Sequence, residues 1–327
     1  MTDLKKKKFK KTAKNNFIKN IITCVNCGKN EIFYKKKQYY CTNCKEHYPI
    51  VYGIPILITK KKCKESNLNY YDKSCEKNIL NSKDFQINKF GVLKYVEKML
   101  MGTSGILYEN ITKLEKYPIA NIPFSKLSKA RNLLLLDVGC GWGRWTINAA
   151  QKGYKCIGID KSLTSLIAAK KISEKLKLKN CHFICCDVTE LPLRKKIFDR
   201  IFSFSFLQHF SENNLKIILK NILIGMKKNG IFKTQMVNKY STRGLYNNFK
   251  INYFKEEMIK KGRMDKREDE SSFTVRYFSI LKICRIFNEF FFISKLENYS
   301  FFTQAQLSDF KIFSSKFKFF LIIASFF

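Results

Sequence analysis

Between residues 133 and 232 the chain alternates short, almost wholly apolar runs with longer amphipathic ones, the pattern of buried strands covered by helices. Leu133-Leu134-Leu135-Leu136 opens the first run, too apolar for a half-exposed strand, and continues into Asp137 and Val138. Cys156 to Asp160, Cys181 to Val188 and Phe198 to Phe206 read as three more strands, and Ile231-Phe232 opens a fifth. Runs from Ser162 to Leu178 and from Glu212 to Met226 predict intervening helices, with Lys227-Lys228-Asn229-Gly230 as the turn into the fifth strand. Such alternation predicts an α/β fold with a mostly parallel sheet. Further on, Ser279 is placed to cap a helix reaching about Asn288. Runs near Phe290 to Leu296 and Phe317 to Ala324 predict two last strands, making seven, the final one antiparallel.

Ahead of this block the pattern is different. Cys24-Val25-Asn26-Cys27 and Cys41-Thr42-Asn43-Cys44 are two C-x-x-C knuckles 13 residues apart, with an aromatic, alternating stretch from Glu31 to Tyr40 that can form a hairpin between them. This spacing suits one tetrahedral Zn2+ held by Cys24, Cys27, Cys41 and Cys44 as a structural site; two disulfides are the competing arrangement. His47 lies three residues past Cys44, but four cysteines already fill a tetrahedral site. The chain begins with a lysine run lacking the apolar core of a secretory signal, and eight further cysteines are scattered, several in predicted buried strands. Together these point to a reducing compartment and a cytoplasmic location. Four regions result: a basic tail over 1–20, a zinc ribbon over 21–60, a linker over 61–130 and the α/β domain over 131–327. The linker carries Tyr70-Tyr71-Asp72 and an amphipathic run from Phe90 to Leu100, read either as a lid on the site or as a surface packing helix.

Charge changes the picture less than its size suggests. Lys and Arg number 62 against 26 acidic residues, a formal charge of +36 that would ordinarily point to nucleic acid or an anionic surface. Yet 53 of the 62 are lysine and only 9 arginine, in a chain rich in Asn, Ile and Phe. That is the product of AT-rich codons in any protein, whereas phosphate recognition favours the planar arginine fork. Non-specific attraction to RNA or anionic surfaces through the lysines is expected. No run reaches the roughly 20 apolar residues of a membrane span.

The chemistry concentrates after the first strand, at Asp137-Val138-Gly139-Cys140-Gly141-Trp142-Gly143. Alternate glycines let the backbone turn tightly and approach a ligand, and the following helix aims its free N–H groups at an anion. A dinucleotide fingerprint would space the glycines G-x-G-x-x-G. Here the spacing is G-x-G-x-G with an acid two residues ahead, suited to a ligand that carries an ammonium beside a carboxylate, as S-adenosylmethionine does.

This turn resembles motif I of the class I S-adenosylmethionine-dependent methyltransferases, in their UbiE-like branch, and the downstream segments follow in the family's order. The resemblance implies a Rossmann-like, seven-stranded sheet. It implies cofactor contacts from Asp137, Gly139, Cys140, Gly141 and Gly143; from Asp160, with Lys161 beside it, to the ribose hydroxyls; and from Asp187 and the Val188 N–H to adenine. Ser203 to His209, at the end of the fourth strand and in the loop after it, should face the methyl group, with Ser203 and Phe204 among the cofactor contacts, and His209 is the candidate base, or else a structural or substrate-orienting residue. For Asp160 and Asp187 the alternative role is helix capping. Tyr48-Pro49-Ile50-Val51-Tyr52-Gly53-Ile54-Pro55-Ile56-Leu57-Ile58 resembles the tail of zinc-ribbon proteins that activate or precede methyltransferases. The stretch from Val237 to Ser272 reads as an exposed insertion in which Tyr240, Arg243 and Tyr246 are candidates to touch substrate. Phe273 to Ser279 resembles the entry into the last helix of glycan- and metabolite-type enzymes.

The reaction so implied is in-line methyl transfer to an oxygen or nitrogen of a small-molecule, glycan or lipid-type acceptor, largely by positioning and deprotonation. An rRNA or tRNA base methyltransferase that uses the ribbon on RNA is the alternative; Ser203-Phe204-Ser205-Phe206 lacks the N/D-P-P-[FY] pattern of base-amino methylation. A non-catalytic cofactor-binding or activator protein is the third reading, opposed by the intact acids and glycines.

Overall fold

The computed structural model describes residues 17–35, 37–103, 114–128, 132–240, 257–261 and 274–297. Arg243, Tyr246, Phe273, most of the basic tail and the expected strand from Phe317 to Ala324 lie outside the described residues.

Four strands fill the N-terminal part: β1 (Ile32–Lys35), β2 (Gln38–Cys41), β3 (His47–Val51) and β4 (Ile54–Leu57). Three helices follow, α1 (Lys60–Glu65), α2 (Cys75–Asn81) and α3 (Lys94–Thr103). The remainder alternates β5 (Leu134–Val138), α4 (Arg144–Gln151), β6 (Lys155–Asp160), α5 (Leu163–Lys175), β7 (Cys181–Cys186), β8 (Phe198–Phe204), α6 (Glu212–Gly225) and β9 (Met226–Gln235). Then come β10 (Glu257–Lys261), β11 (Thr274–Phe278) and α7 (Ile280–Asn288).

The period-2 pattern of the core strands decides their two faces. Leu135, Cys156, Phe183 and Cys185 point into the core packed by α4 and α5, whereas Leu136, Val138, Ile157, Ile159, Ile184 and Cys186 point into the one closed by α6 and α7. Parallel strands buried on both sides need no polar face, which is why the leucine run is unbroken. Ser162, Ser211 and Ser279 cap α5, α6 and α7, each side chain accepting from the third residue beyond it.

β5 to β9 run parallel in the order β7–β6–β5–β8–β9. The sheet does not stop there. β4 pairs in parallel with β7, Ile56 opposite Cys185 and Leu57 opposite Cys186, and β3, β2 and β1 continue it antiparallel. The sheet of the described residues thus has nine mixed strands rather than seven. All four residues of β4 are buried, so the knuckle segment shares the central core.

Three other expectations change. Phe290 to Leu296 is not a strand: Phe290 and Phe291 close α7 on the Phe287 carbonyl, and the Phe291 ring packs 5.4 Å from that of Phe232 on β9. Phe290 and Phe291 serve packing rather than a ladder, while Phe292 stands exposed at 93%. The insertion after β9 begins buried rather than exposed, because Val237 is 8% and Lys239 8% accessible, with the Lys239 N–H donating to the Phe278 carbonyl. Tyr240 alone of that trio of candidates is described, and it is exposed at 54%. Lys227 to Gly230 enters β9 as an irregularity, Phe198 facing Met226 and Arg200 facing Ile231.

Residues 118–124, within the expected lid, are strapped to α4. Arg144, Asn148 and Lys152, four residues apart and so on one helix face, bond the strap backbone: Arg144 Nε to the Pro118 carbonyl (2.8 Å), the Ile122 N–H to Asn148 Oδ1 (3.0 Å), and Lys152 Nζ to the Ile122 and Phe124 carbonyls (2.6 and 2.7 Å).

Candidate active site and cysteine cluster

The glycine turn leaves β5 at Val138 and launches α4. Its entry is fixed by the neighbouring strand, because the N–H groups of Gly139 and Cys140 both donate to the Ile159 carbonyl at 2.9 and 3.0 Å. Gly139 and Gly141 have φ of 72° and 51°, in the left-handed region. The two differ in what surrounds them. A Cβ on Gly139 would lie 2.1 Å from Cγ of Phe206, so the ring just beyond β8 is seated on the turn. A Cβ on Gly141 would meet nothing within 4 Å: the turn faces open space there. Behind it, α4 follows Gly143, which as a glycine offers no side-chain cap; the Thr146 N–H of the first turn is bonded by Asp137 from below.

Asp137 is 1% accessible, and its Oδ2 accepts the Thr146 hydroxyl of α4 at 2.5 Å. Burial pushes its carboxyl up to about 7, against the lowering by the Thr146 bonds. It therefore sits beneath the turn, not on the open surface. Burial likewise pushes Cys140 well up, and its thiol is buried. Ser203 is fully buried with its hydroxyl on the Val138 carbonyl at 3.0 Å, tying β8 to the end of β5.

Asp160 ends β6 beside the open space. Its Oδ2 accepts the Gly141 N–H at 2.9 Å and its Oδ1 the Ser162 N–H at 2.8 Å. Burial raises its carboxyl, partly offset by those backbone donors. Asp187 caps the short turn after β7, taking the Thr189 N–H at 3.0 Å and hydroxyl at 2.6 Å on Oδ1, with Lys161 Nζ 3.3 Å from Oδ2. Burial works to raise Asp187, but the Thr189 bonds and the Lys161 ammonium outweigh it and hold the carboxyl low. Val188 beside it is buried. Thus Asp137, the three glycines, Asp160, Lys161 and Asp187 all gather at the carboxyl ends of β5, β6 and β7, where open α/β sheets bind ligands.

The β8 side is aromatic. Phe204 packs 4.5 Å from Trp145, and Ser205 holds φ 50° with its hydroxyl on Gln235 Oε1 at 2.6 Å. His209 Nε2 is 3.0 Å from the Ser205 carbonyl, and the His209 carbonyl accepts Arg276 from β11 at 2.8 Å. Since a carbonyl only accepts, that contact puts the proton on Nε2. Sequence reasoning missed Thr146, which carries no local signal; Phe206 and Arg276 lie in segments it singled out, the loop after the fourth strand and the Phe273 to Ser279 run, but without these contacts. It passed over Tyr70, whose hydroxyl reaches the Lys161 carbonyl at 2.9 Å.

At the other end of the sheet the four knuckle cysteines converge. Their Sγ atoms lie within 4.8 Å of one another, Cys24 to Cys44 at 3.4 Å and Cys27 to Cys41 at 3.6 Å. Disulfide sulfurs would stand about 2.05 Å apart; all twelve cysteines are free thiols. Four sulfurs around one ion at a Zn–S bond of about 2.3 Å would be spaced about 3.8 Å, close to the observed cluster. The Tyr48 hydroxyl, buried, is 3.1 Å from Cys24 Sγ.

Residues 129–282 match the family described as "Methyltransferase domain". The chain is 31% identical over 131 residues to a ubiquinone biosynthesis O-methyltransferase of Pelagibacter ubique, covering 40% of this chain and 50% of that protein. It is 30% identical over 105 residues to (S)-coclaurine N-methyltransferase of Papaver somniferum, covering 32% and 29%. The chain therefore spans about half the length of the first relative and under a third of the second. Among solved structures, a SAM-dependent methyltransferase from Methanosarcina mazei is 19% identical over 50% of this chain and 80% of its own, with a TM-score of 0.41. Among the described residues no helix is long and apolar enough to cross a membrane.

Proposed function

We propose that the protein transfers a methyl group from S-adenosylmethionine to an oxygen or nitrogen of a small-molecule or glycan/lipid-type acceptor, and that Cys24, Cys27, Cys41 and Cys44 hold a structural Zn2+. The observation that carries the first part is the open space at Gly141, bordered by the Asp160 carboxylate and the start of α4. When bound, S-adenosylmethionine supplies an electrophilic methyl on a sulfonium. This chain's residues do the positioning. The N–H groups at the start of α4 receive the carboxylate, and Asp137 beneath the turn provides the negative potential for the ammonium. Asp160 takes the ribose hydroxyls, and Asp187 with Val188 and Lys161 borders adenine. Cys140 contributes backbone. Phe204, with Trp145, walls off the methyl end from water, while Ser203, buried rather than facing the methyl group, ties β8 to the end of β5 behind it. His209 is assigned to holding this loop, because its Nε2–H is engaged by Ser205.

The small-acceptor reading draws on the relatives, whose names specify ubiquinone biosynthesis and (S)-coclaurine, and on the excess of Lys over Arg. Calorimetry with S-adenosylmethionine tests the cofactor. Labelled-methyl transfer into a small-molecule and lipid extract tests the acceptor: Asp160-dependent product there is expected, and Asp160-dependent label confined to RNA would overturn the reading.

A further inference from the structure

Tyr70 belongs to the chain that leaves β4 and α1, yet it reaches across to the turn that follows β6. Its hydroxyl donates to the Lys161 carbonyl at 2.9 Å and accepts the Leu163 N–H at 3.3 Å. Those two peptide groups flank Ser162, whose own N–H orients Asp160 Oδ1 at 2.8 Å. Leu163 opens α5, so its N–H has no partner within the helix and the tyrosine provides one. One hydroxyl therefore closes the turn on both sides of the residue that aims the carboxylate. Burial pushes the Tyr70 hydroxyl far up, which keeps it a donor at any working pH.

Tyr71 faces the other way. Its hydroxyl lies 3.0 Å from the His47 carbonyl on β3 and 2.9 Å from that of Ile58, just beyond β4. The dipeptide is a two-sided tether: Tyr71 fastens it to the four-cysteine segment and Tyr70 to the Asp160 turn. The pairing of β4 with β7 brings the two within reach.

We propose that Tyr70 is a positioning residue for the cofactor, fixing the turn that presents Asp160 to the ribose, so that the chain leaving the cysteine knuckles completes the cofactor site. The inference rests on S-adenosylmethionine being that cofactor. It adds that part of its affinity is built outside the span that matches the methyltransferase domain, since Tyr70 lies well before residue 129.

The full-length protein as purified, with its metal, is titrated with S-adenosylmethionine by calorimetry as wild type, Tyr70→Phe, Tyr71→Phe, Asp160→Ala and the Tyr70→Phe/Asp160→Ala double variant. Losing one hydrogen bond that aims a ligand group should weaken binding roughly three- to tenfold in Tyr70→Phe. Tyr71→Phe loses comparable bonds and some thermal stability, but binds as wild type does. In the Asp160→Ala background Tyr70→Phe should have no further effect, because it acts through that carboxylate. Equal affinities for Tyr70→Phe and wild type, equal losses in both tyrosine variants, or additive losses in the double variant overturn the inference while leaving the cofactor reading intact. No binding by the wild type overturns both. If Tyr70→Phe does not fold, amide exchange in the wild type decides: the Leu163 N–H should be protected without cofactor and more so with it, and protection indifferent to cofactor rejects the role.

Discussion

The Thr146 hydroxyl on α4 donates to Asp137 Oδ2 at 2.5 Å, joining the end of β5 to the helix that the glycine turn launches. The turn is thereby held from below while its upper side at Gly141 is open. The carboxyl in this bond is out of reach of water, and burial lifts it from 3.8 to about 7. Below about pH 4 it is protonated in folded and unfolded chains alike. Between about 4 and 7 only the unfolded chain ionises, so stability falls as pH rises through that window; above about 7 both ionise and the loss is constant. Asp137→Asn should therefore match the wild type in Tm near pH 4 and gain on it by several degrees by pH 8. A Tm difference that is the same at both pH values would show that the carboxyl is not desolvated as described.

The two glycines of the turn should respond oppositely to the same change. Gly139→Ala drives a methyl group into the Phe206 ring, 2.1 Å away, so the loop beyond β8 must move and Tm should drop markedly. Gly141→Ala meets open space and bears only the cost of a side chain at φ 51°, about 1 kcal/mol. It should remain folded and lose S-adenosylmethionine affinity by tenfold or more. A folded Gly141→Ala protein that binds normally removes this residue from the site.

Because β4 is a strand of the central sheet, the cysteine cluster should not melt on its own. Elemental analysis is expected to find one Zn2+ per chain, falling to none when Cys24 and Cys27 are both changed to serine. Chelation should lower the Tm of a single transition for the whole molecule, as metal-binding energy is folding energy here. Two separate transitions in calorimetry, only the first moved by chelator, would mean that the pairing of Ile56 with Cys185 couples nothing.

The parts legible in the sequence are those whose signals are local. A leucine run ending in Asp137 and alternate glycines announces strand, turn and helix within a dozen residues, and the cysteine spacing announces a cluster that the fold brings together. Pairing between Leu57 and Cys186, separated by more than a hundred residues, leaves no local trace, so the extension of the sheet through β4 was invisible. Phe290 to Leu296 misled because aromatic runs have the composition of a strand, whereas here Phe291 of the run packs near Phe232 and Phe292 is exposed. Tyr70 was in view as part of a conspicuous Tyr-Tyr-Asp triplet, but nothing nearby tells which way each hydroxyl points.

Salt separates the acceptor classes. An enzyme that works on RNA must neutralise phosphates with its lysines, and binding then falls with a log–log slope of roughly −0.7 to −0.9 per phosphate contact. With 53 lysines the chain is expected to attract RNA at low salt whatever its substrate, so binding alone is uninformative and the methyl-transfer rate must be followed. For a small acceptor held beside Phe204 and Trp145, whose walls are aromatic rather than cationic, the rate between about 50 and 200 mM salt should change less than twofold, because counterion release contributes little. Asp160→Ala serves as the control in each arm. Labelling of RNA that requires Asp160 and collapses a hundredfold or more over that range, with no small-molecule product, would reverse the assignment and give the cysteine-bearing strands a role in holding RNA.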